Sequence, residues 1–524
     1  MEPRRRTLLA GTAGVVSAVA TLGAAEAVAA FVAPASSPLL AVGSLVIDLV
    51  PGWVKDLVIA LFGTNDKLVL LIVLIVLGVL VVALAFGIGV LEERRPVVGA
   101  VALALVGGVA VFAATTRADA TFDWAFPSIV GTAVGIIVLR VLCSRLRTWE
   151  EASGFDQARP VAGASRAALP RRSFLILLGG TAAGALVIGV GARVASAGAV
   201  AVETIRKALK LPTAAVAAAP VPAGAELGID GLSPIVSSND SFYRIDTALQ
   251  VPNIDPSTWS LKITGMVEQE IEIGFDELLA LPLQESIITL TCVSNQVGGD
   301  LIGNALWLGY PIRELLKRAK PRAGADMVLS RSIDGFTAGT PLEVLQDEQR
   351  DCLLAVGMNG EPLPLQHGFP VRMVVPGLYG YVSATKWVVE LNVTRYADAR
   401  AYWTDRGWSE RGPIKTESRI DVPRNGARVA AGTVAVAGVA WAQHTGVEGV
   451  QVRIDDGDWT DATLASSISD DTWVQWVHEW DAPAGDHTIA VRATDAAGKT
   501  QSETPVDVVP NGAEGWHTIS VGVD

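Results

Sequence analysis

The chemistry available to this chain is concentrated in two short runs. The first, Thr289-Leu290-Thr291-Cys292-Val293-Ser294-Asn295, puts a cysteine at the end of a β-rich stretch, ahead of a glycine-containing loop at 296–304. A thiolate held at a rigid strand end and facing a loop is a soft ligand well placed for a metal. Two plainer readings stand beside it: a small side chain packed in a core, and a disulfide with Cys352. In the second run, residues 359–372, His367 and Arg372 flank a turn bounded by glycine and proline. Val374-Val375-Pro376-Gly377 and then Lys386-Trp387 follow. Imidazole, guanidinium and backbone N–H groups so arranged can hold an anion, and a polar turn between strands fits the same residues.

Other chemistries lack their ligands. Cys143, Cys292 and Cys352 are the three cysteines of the chain, with no C-x-x-C, no C-x-x-C-H and no paired Cys/His spacing. No iron–sulfur cluster, haem or structural zinc is expected, and a disulfide scaffold is excluded. Charge splits the 524 residues into two regions. Positions 1–200 hold 16 basic and 12 acidic residues, whereas the remainder holds 25 and 42. A basic, apolar leader thus precedes an acidic body. Without clustered Lys and Arg, that body is not expected to bind nucleic acid.

The elements that must carry these runs begin with a membrane region at 1–200. Uncharged runs at 7–25, 68–91, 96–116, 124–139 and 174–192 each approach or exceed the length that crosses about 30 Å of hydrocarbon, which predicts five transmembrane helices. Segment 38–62 is apolar but interrupted by Asp48, Pro51, Gly52, Lys55 and Asp56, and is expected to be interfacial or re-entrant. With Met1 inside, twelve cations fall on the inner side against Lys55, Lys67 and Arg117 outside. That bias makes the chain a multi-pass protein of the cell membrane, with everything after position 198 on the extracytoplasmic side. Arg171-Arg172-Ser173-Phe174-Leu175, before the last run, resembles a twin-arginine export signal, although an arginine pair closing a cytoplasmic helix end reads the same way. None of the five histidines lies in a span, and the one candidate intramembrane carboxylate, Glu26, falls just past the run 7–25 and is expected near the outer interface, so an anchor is expected rather than a haem relay or a transporter.

Residues 201–224, rich in Ala, Pro and Val, read as an extended linker without a core of its own. From 225 to 411, short β-rich runs at 259–264, 287–291, 373–375 and 387–393 alternate with helical patterns at 275–281 and 312–319, which predicts an α+β domain. From 412 to 524 the pattern is strands only, at 433–439, 450–454, 473–480 and 487–493, with turns at Asp456-Gly457, Ala484-Gly485 and Ala497-Gly498. Such spacing predicts an immunoglobulin-like β-sandwich.

Taken together, the body resembles the sulfite oxidase family of molybdopterin-dependent oxidoreductases over most of 228–524. The resemblance rests on HGFPVR at 367–372 with VVPG and KW after it, on Cys292 with Asn295 three residues later, and on Phe242-Tyr243-Arg244-Ile245-Asp246 ahead of Val251-Pro252-Asn253. The sandwich and its closing run 511–517 resemble the family's dimerisation domain. By that resemblance Cys292 is the metal ligand to molybdenum carrying a single pterin dithiolene. Phe242, Tyr243, Arg244, Ile245, Asp246, Asp334, His367, Arg372, Thr385, Lys386 and Trp387 then hold the cofactor. Arg244 joins Cys292 as a catalytic candidate. Oxygen-atom transfer or reduction on a small molecule, an external redox partner and a homodimer through the sandwich are the implied function and partners. Departures from the family argue against sulfite itself: Gln296 and Val297 stand where an arginine is usual, Val356 where a tyrosine is, and Asp246 where a histidine is. The alternative is a membrane-tethered, non-enzymatic binding or assembly module on the same fold.

Overall fold

The computed structural model describes residues 3–33, 36–49, 66–116, 120–158, 168–195, 198–248 and 251–524. The chain divides into two compact units, Met1–Val200 and Ala201–Asp524.

The first unit is built of helices: α1 (Pro3–Val32), α2 (Pro38–Leu49), α3 (Asp66–Arg94), α4 (Val98–Thr115), α5 (Ala125–Ala158) and α6 (Ala168–Ala195). Glycines let these helices approach closely. A Cβ on Gly14 of α1 would stand 2.1 Å from the Ala85 carbonyl oxygen of α3, and one on Gly89 of α3 would stand 2.1 Å from that of Ala10. Large apolar side chains such as Leu80, Leu105, Phe112, Ile137 and Val187 face outward. Among the described residues four helices, Pro3–Val32, Val98–Thr115, Phe122–Ala152 and Arg171–Ile188, are long and apolar enough to cross a membrane. The expected run 68–91 is helical within α3, but the side chains of 66–75 lie outside the described residues. In segment 38–62, α2 covers the first part and packs Ala41 against Ala113 and Ala114, and positions 50–65 also lie outside the described residues. One end of the bundle is tied by ion pairs: Arg6 to Glu93 at 2.8 Å, Arg6 to Glu150 at 3.0 Å and Arg147 to Glu93 at 3.4 Å. The start of α1 and the ends of α3 and α5 therefore share one side.

The second unit opens with α7 (Gly198–Ala208) rather than the extended chain expected there, because Val202 finds an apolar seat beside Phe242 and Leu363. Beyond it the chain is extended but pinned: Ala215 N–H donates to Leu283 O at 2.7 Å, and Glu285 N–H donates to Val216 O at 2.8 Å. The α+β part carries two sheets. The first joins β1 (Ser260–Gly265), β2 (Ile271–Gly274), β5 (Met327–Ser332), β6 (Thr337–Pro341) and β10 (Val388–Thr394) in the order β2-β1-β10-β5-β6, with β1 and β10 parallel. The second runs β3 (Gln284–Thr291), β4 (Ile302–Pro311), β7 (Leu353–Met358) and β8 (Glu361–Pro362), with β9 (Arg372–Val374) also on β7. All six residues of β7 are buried, because alternate side chains enter different cores: Leu354 and Val356 join Leu261 and Leu391, whereas Leu353 and Ala355 join Leu290 and Trp307. That double burial makes β7 the wall between the two clusters.

The remaining strands are β11 (Glu417–Val422), β12 (Ala427–Val429), β13 (Gly432–Trp441), β14 (Val447–Ile454), β15 (Thr460–Asp461), β16 (Thr463–Leu464), β17 (Val474–Ala482), β18 (Gly485–Asp495) and β19 (His517–Val523). They form two sheets, β11-β13-β17-β16 and β12-β19-β18-β14-β15, whose inner faces share a core of Ile420, Val436, Trp476, Val452, Val491 and Val521.

Glu417, at the start of β11, is buried, and its Oε1 has no hydrogen-bond partner among the described residues. Burial pushes its carboxyl from 4.5 up to about 8, so the folded chain keeps a proton that the unfolded chain releases. Stability tied to this group is full below pH 4.5 and is lost as pH rises toward 8. Glu417→Gln is expected to raise stability at pH 8 by on the order of 3 kcal/mol, with the gain vanishing near pH 4.5, in denaturant melts of the full chain at both pH values.

Candidate active site

Strand β3 delivers Cys292. Its backbone N–H donates to Leu301 O at 2.9 Å, and Asn295 closes the following loop by accepting Leu301 N–H on Oδ1 at 2.8 Å. The turn leaves no room beside Gly299, where a Cβ would meet Asn295 Oδ1 at 2.6 Å. The Cys292 sulfur is buried and accepts Ser294 N–H at 3.4 Å. Burial pushes its thiol up, against the opposing pull of Ser294 and the Lys386 charge. The sulfur therefore carries a proton until a cation displaces it. All three cysteines are free, so the Cys292–Cys352 disulfide is not formed.

The second run folds against this loop. Gly368 lies at φ 114°, and a Cβ there would stand 2.9 Å from that of Arg372 and 3.2 Å from that of Lys386. Glycine at this point brings the two cations close to one turn. Arg372 is buried, donates only to the backbone oxygens of Met373, His367 and Ala384, and lies 5.1 Å from the Trp307 ring centroid. No carboxylate pairs with it among the described residues, and burial pulls its guanidinium down to about 10. Lys386 donates to Asp246 Oδ2 at 2.9 Å and to Gln366 O at 3.0 Å, and burial pulls it down to about 8. Burial raises Asp246, but Lys386 and Arg244 outweigh it and hold the carboxylate below its usual range. His367 places Nε2 3.0 Å from Asn239 O and leaves Nδ1 buried without a partner among the described residues, while burial and the Arg372 charge pull it down to about 4. It is neutral at pH 7.

These elements enclose a cleft of about 860 Å³, counted to its open mouth. Of the residues expected from sequence, Cys292, Phe242, Tyr243, Ile245, Asp246, Asp334, Arg372, Lys386 and Trp387 line it. Three do not. Arg244 is half exposed and bonded to Asp246 at 3.0 Å, His367 stacks edge-on behind Phe242 at 5.6 Å, and Thr385 is buried against Ser330 at 2.7 Å. Sequence reasoning passed over Phe336, Tyr381, Trp403 and Trp408, which also line the cleft. The aromatic density of 402–408 was the available signal.

A buried cation without a counter-ion is costly and calls for an anion. The thiol on the same wall becomes a soft metal ligand once its proton is displaced. Arg372 and Cys292 together therefore fit a cofactor that brings phosphate and a thiophilic metal.

The description "Oxidoreductase molybdopterin binding domain" matches residues 248–403. Mitochondrial sulfite oxidase of Rattus norvegicus is 28% identical over 328 residues, covering 52% of this chain and 59% of its own length. The oxidoreductase YuiH of Bacillus subtilis (strain 168) is 32% identical over 158 residues, which cover 30% of this chain and 76% of YuiH. Among solved structures, the sulfane dehydrogenase SoxCD of Paracoccus pantotrophus aligns with TM-score 0.48 and 21% identity over 55% of this chain and 81% of that one. The chain carries a molybdopterin-binding oxidoreductase domain, with molybdenum–molybdopterin as the cofactor of that domain, and it spans 59% of the length of the mitochondrial sulfite oxidase it matches. It belongs to the sulfite oxidase family of molybdopterin-dependent oxidoreductases. A non-enzymatic module on the same fold is set aside.

Proposed function

We propose that this chain is a membrane-anchored oxidoreductase, held with its body on the extracytoplasmic side, that transfers an oxygen atom to or from a small substrate and exchanges electrons with an external redox partner. The observation that carries the reading is the meeting of Cys292 and the uncompensated Arg372 in one cleft. Cys292 is the thiolate ligand. Arg372 neutralises the cofactor's phosphate, the Phe242–Tyr243 pair, stacked at 5.2 Å, walls the pterin, and Lys386 is held in place by Asp246. Arg244 acts through Asp246 rather than on the substrate, while Asp334 and Trp387 close the rim and Thr385 and His367 brace the turn from behind. When bound, the molybdenum centre supplies two-electron chemistry and an exchangeable oxygen, and the protein supplies position and electrostatics.

Sulfite is disfavoured as substrate. Gln296 is exposed and Val297 does not line the cleft, so neither position supplies a cation to an oxyanion. Val356 is fully buried in the apolar core. The bias of twelve inner cations over Lys55, Lys67, Arg117 and Arg193 on the outer side supports the extracytoplasmic body, with Arg171-Arg172 as its export signal. The two sheets of 412–524 are read as an immunoglobulin-like domain that pairs two copies of the chain.

The full chain, purified from membranes, is expected to hold molybdenum and pterin in equal amounts, close to one per chain. Its body is expected to be digested by protease added outside intact cells. A metal-free preparation that still turns over, or a body protected until the cells are opened, would overturn the respective half of this reading.

A further inference from the structure

The loop that follows Cys292 is gripped by the two sheets of 412–524. Arg419 of β11 is buried, and its guanidinium donates from Nη1 to Gly299 O at 2.7 Å and from Nη2 to Ser233 Oγ at 2.9 Å. Asp421, two residues along the same strand, accepts Nε–H at 2.6 Å, which fixes the fork and balances its charge. His517 of β19 lies against the preceding loop residue: Gly298 takes φ 76°, and a Cβ there would overlap the imidazole ring. The ring is itself held, because Nδ1 accepts Ile420 N–H at 2.9 Å.

Strand β3 is tied to the same sheets just ahead of the cysteine. Thr291 Oγ1 accepts a hydrogen bond from Gln443 Nε2 at 2.8 Å, Thr289 N–H donates to Asp471 O at 3.0 Å, and Trp473 N–H donates to Thr289 Oγ1 at 2.9 Å. Cys292 therefore sits between two anchored points, Thr291 and Gly299, held by residues 152 and 120 positions further along the chain. Consecutive glycines at 298 and 299 give the loop little stiffness of its own, so its shape depends on these outside bonds. A metal ligand must be held to within about 0.5 Å and 10–20° of its working geometry, which a loosely tethered glycine loop does not provide.

Resting on the assignment of Cys292 as the thiolate ligand, we infer that Arg419 is a positioning residue for that thiolate, acting through Gly299 O, and that the sheets of 412–524 form part of the frame of the metal site. Arg419 lines no part of the cleft and touches neither cofactor nor substrate. Its part is to fix the direction in which the sulfur leaves the strand.

The first test uses the cofactor-free full chain, prepared in a host without molybdopterin synthesis, and reads alkylation by iodoacetamide cysteine by cysteine through peptide mass mapping. Arg419→Gln combined with Asp421→Asn removes the pair without stranding a carboxylate. It is expected to speed alkylation of Cys292 about tenfold while Cys352, buried in the same unit, stays within about twofold. Arg419→Lys, which can still donate to Gly299 O, is expected to remain within about threefold of wild type at Cys292. Gln443→Met removes the anchor at Thr291 without touching a charge, and is expected to speed Cys292 alone by about fivefold, a reading that stands even where the double variant fails to fold. With cofactor, the double variant is expected to lose about tenfold to a hundredfold in kcat with KM within about twofold, to shift the sulfur-to-molybdenum charge-transfer band, and to have both effects largely reversed in Arg419→Lys. Equal acceleration at Cys292 and Cys352 would make the contact one of general stability, and acceleration at neither, or an unchanged kcat and band, would equally overturn the inference. Alkylation reads the loop before any cofactor enters, so that failure is distinct from failure of the ligand assignment, which the molybdenum content of Cys292→Ser reads.

Discussion

Cys292→Ser is expected to leave a folded chain whose turnover has fallen at least about a hundredfold. Loss of groups that merely orient metal ligands costs 10- to 100-fold, so loss of the ligating atom itself sits at or beyond that limit. The substitution is nearly isosteric, and serine oxygen can accept the Ser294 N–H that the sulfur accepts now at 3.4 Å. Stability therefore changes by less than about 1.5 kcal/mol. What is lost is softness, since a hydroxyl is a poor replacement for a thiolate as ligand and holds its proton far more firmly. Activity, molybdenum per chain and thermal midpoint measured on one preparation check all three statements. Activity kept within about tenfold of wild type at unchanged metal content would remove Cys292 from the coordination sphere.

The residues that meet in the cleft were legible where a motif carries its own geometry. The turn around Gly368 brings Arg372 and Lys386 together by local constraint, and the strand-then-loop pattern at Cys292 reads directly from 289–304. Strands β1 and β10 and the helix Ile312–Ala319 were visible as well, because each has a clear apolar pattern and turn residues at its ends. Strand β4 was not. Gly303 and Gly309 dilute its pattern, yet a Cβ on them would meet the Phe242 ring at 2.8 Å and Leu354 O at 2.5 Å, so they are there for close approach. Strand β7 hides for a different reason: burial on both faces erases the alternation that marks a half-exposed strand. The aromatic lining was legible only in part: 402–408 is dense in aromatic residues, but Phe336 and Tyr381 come from segments far apart in sequence. The pairing of Asp246 with Lys386 spans 140 residues and turned an expected pterin contact into a counter-ion.

That distinction between paired and unpaired cations gives the second large effect, and its sign depends on the cofactor. Arg372 is buried, and among the described residues it has no carboxylate partner and hydrogen-bonds only to carbonyls, so in the cofactor-free chain it is a desolvated charge that weakens the fold. Arg372→Met keeps much of the side-chain volume and removes the charge. The cofactor-free variant is therefore expected to melt at or above the cofactor-free wild type, as replacement of buried charges by apolar groups often does. With cofactor the order reverses. The phosphate loses its buried partner at about 3–5 kcal/mol, which weakens retention at least about a hundredfold. Arg372→Lys restores charge without the planar fork and falls between the two. Thermal melts of both variants, prepared with and without molybdopterin synthesis in the host, read the crossing directly. A variant less stable without cofactor but equally loaded with it would assign Arg372 to structural packing, and the anion in this cleft would then have to be held by Lys386 at the expense of its bond to Asp246.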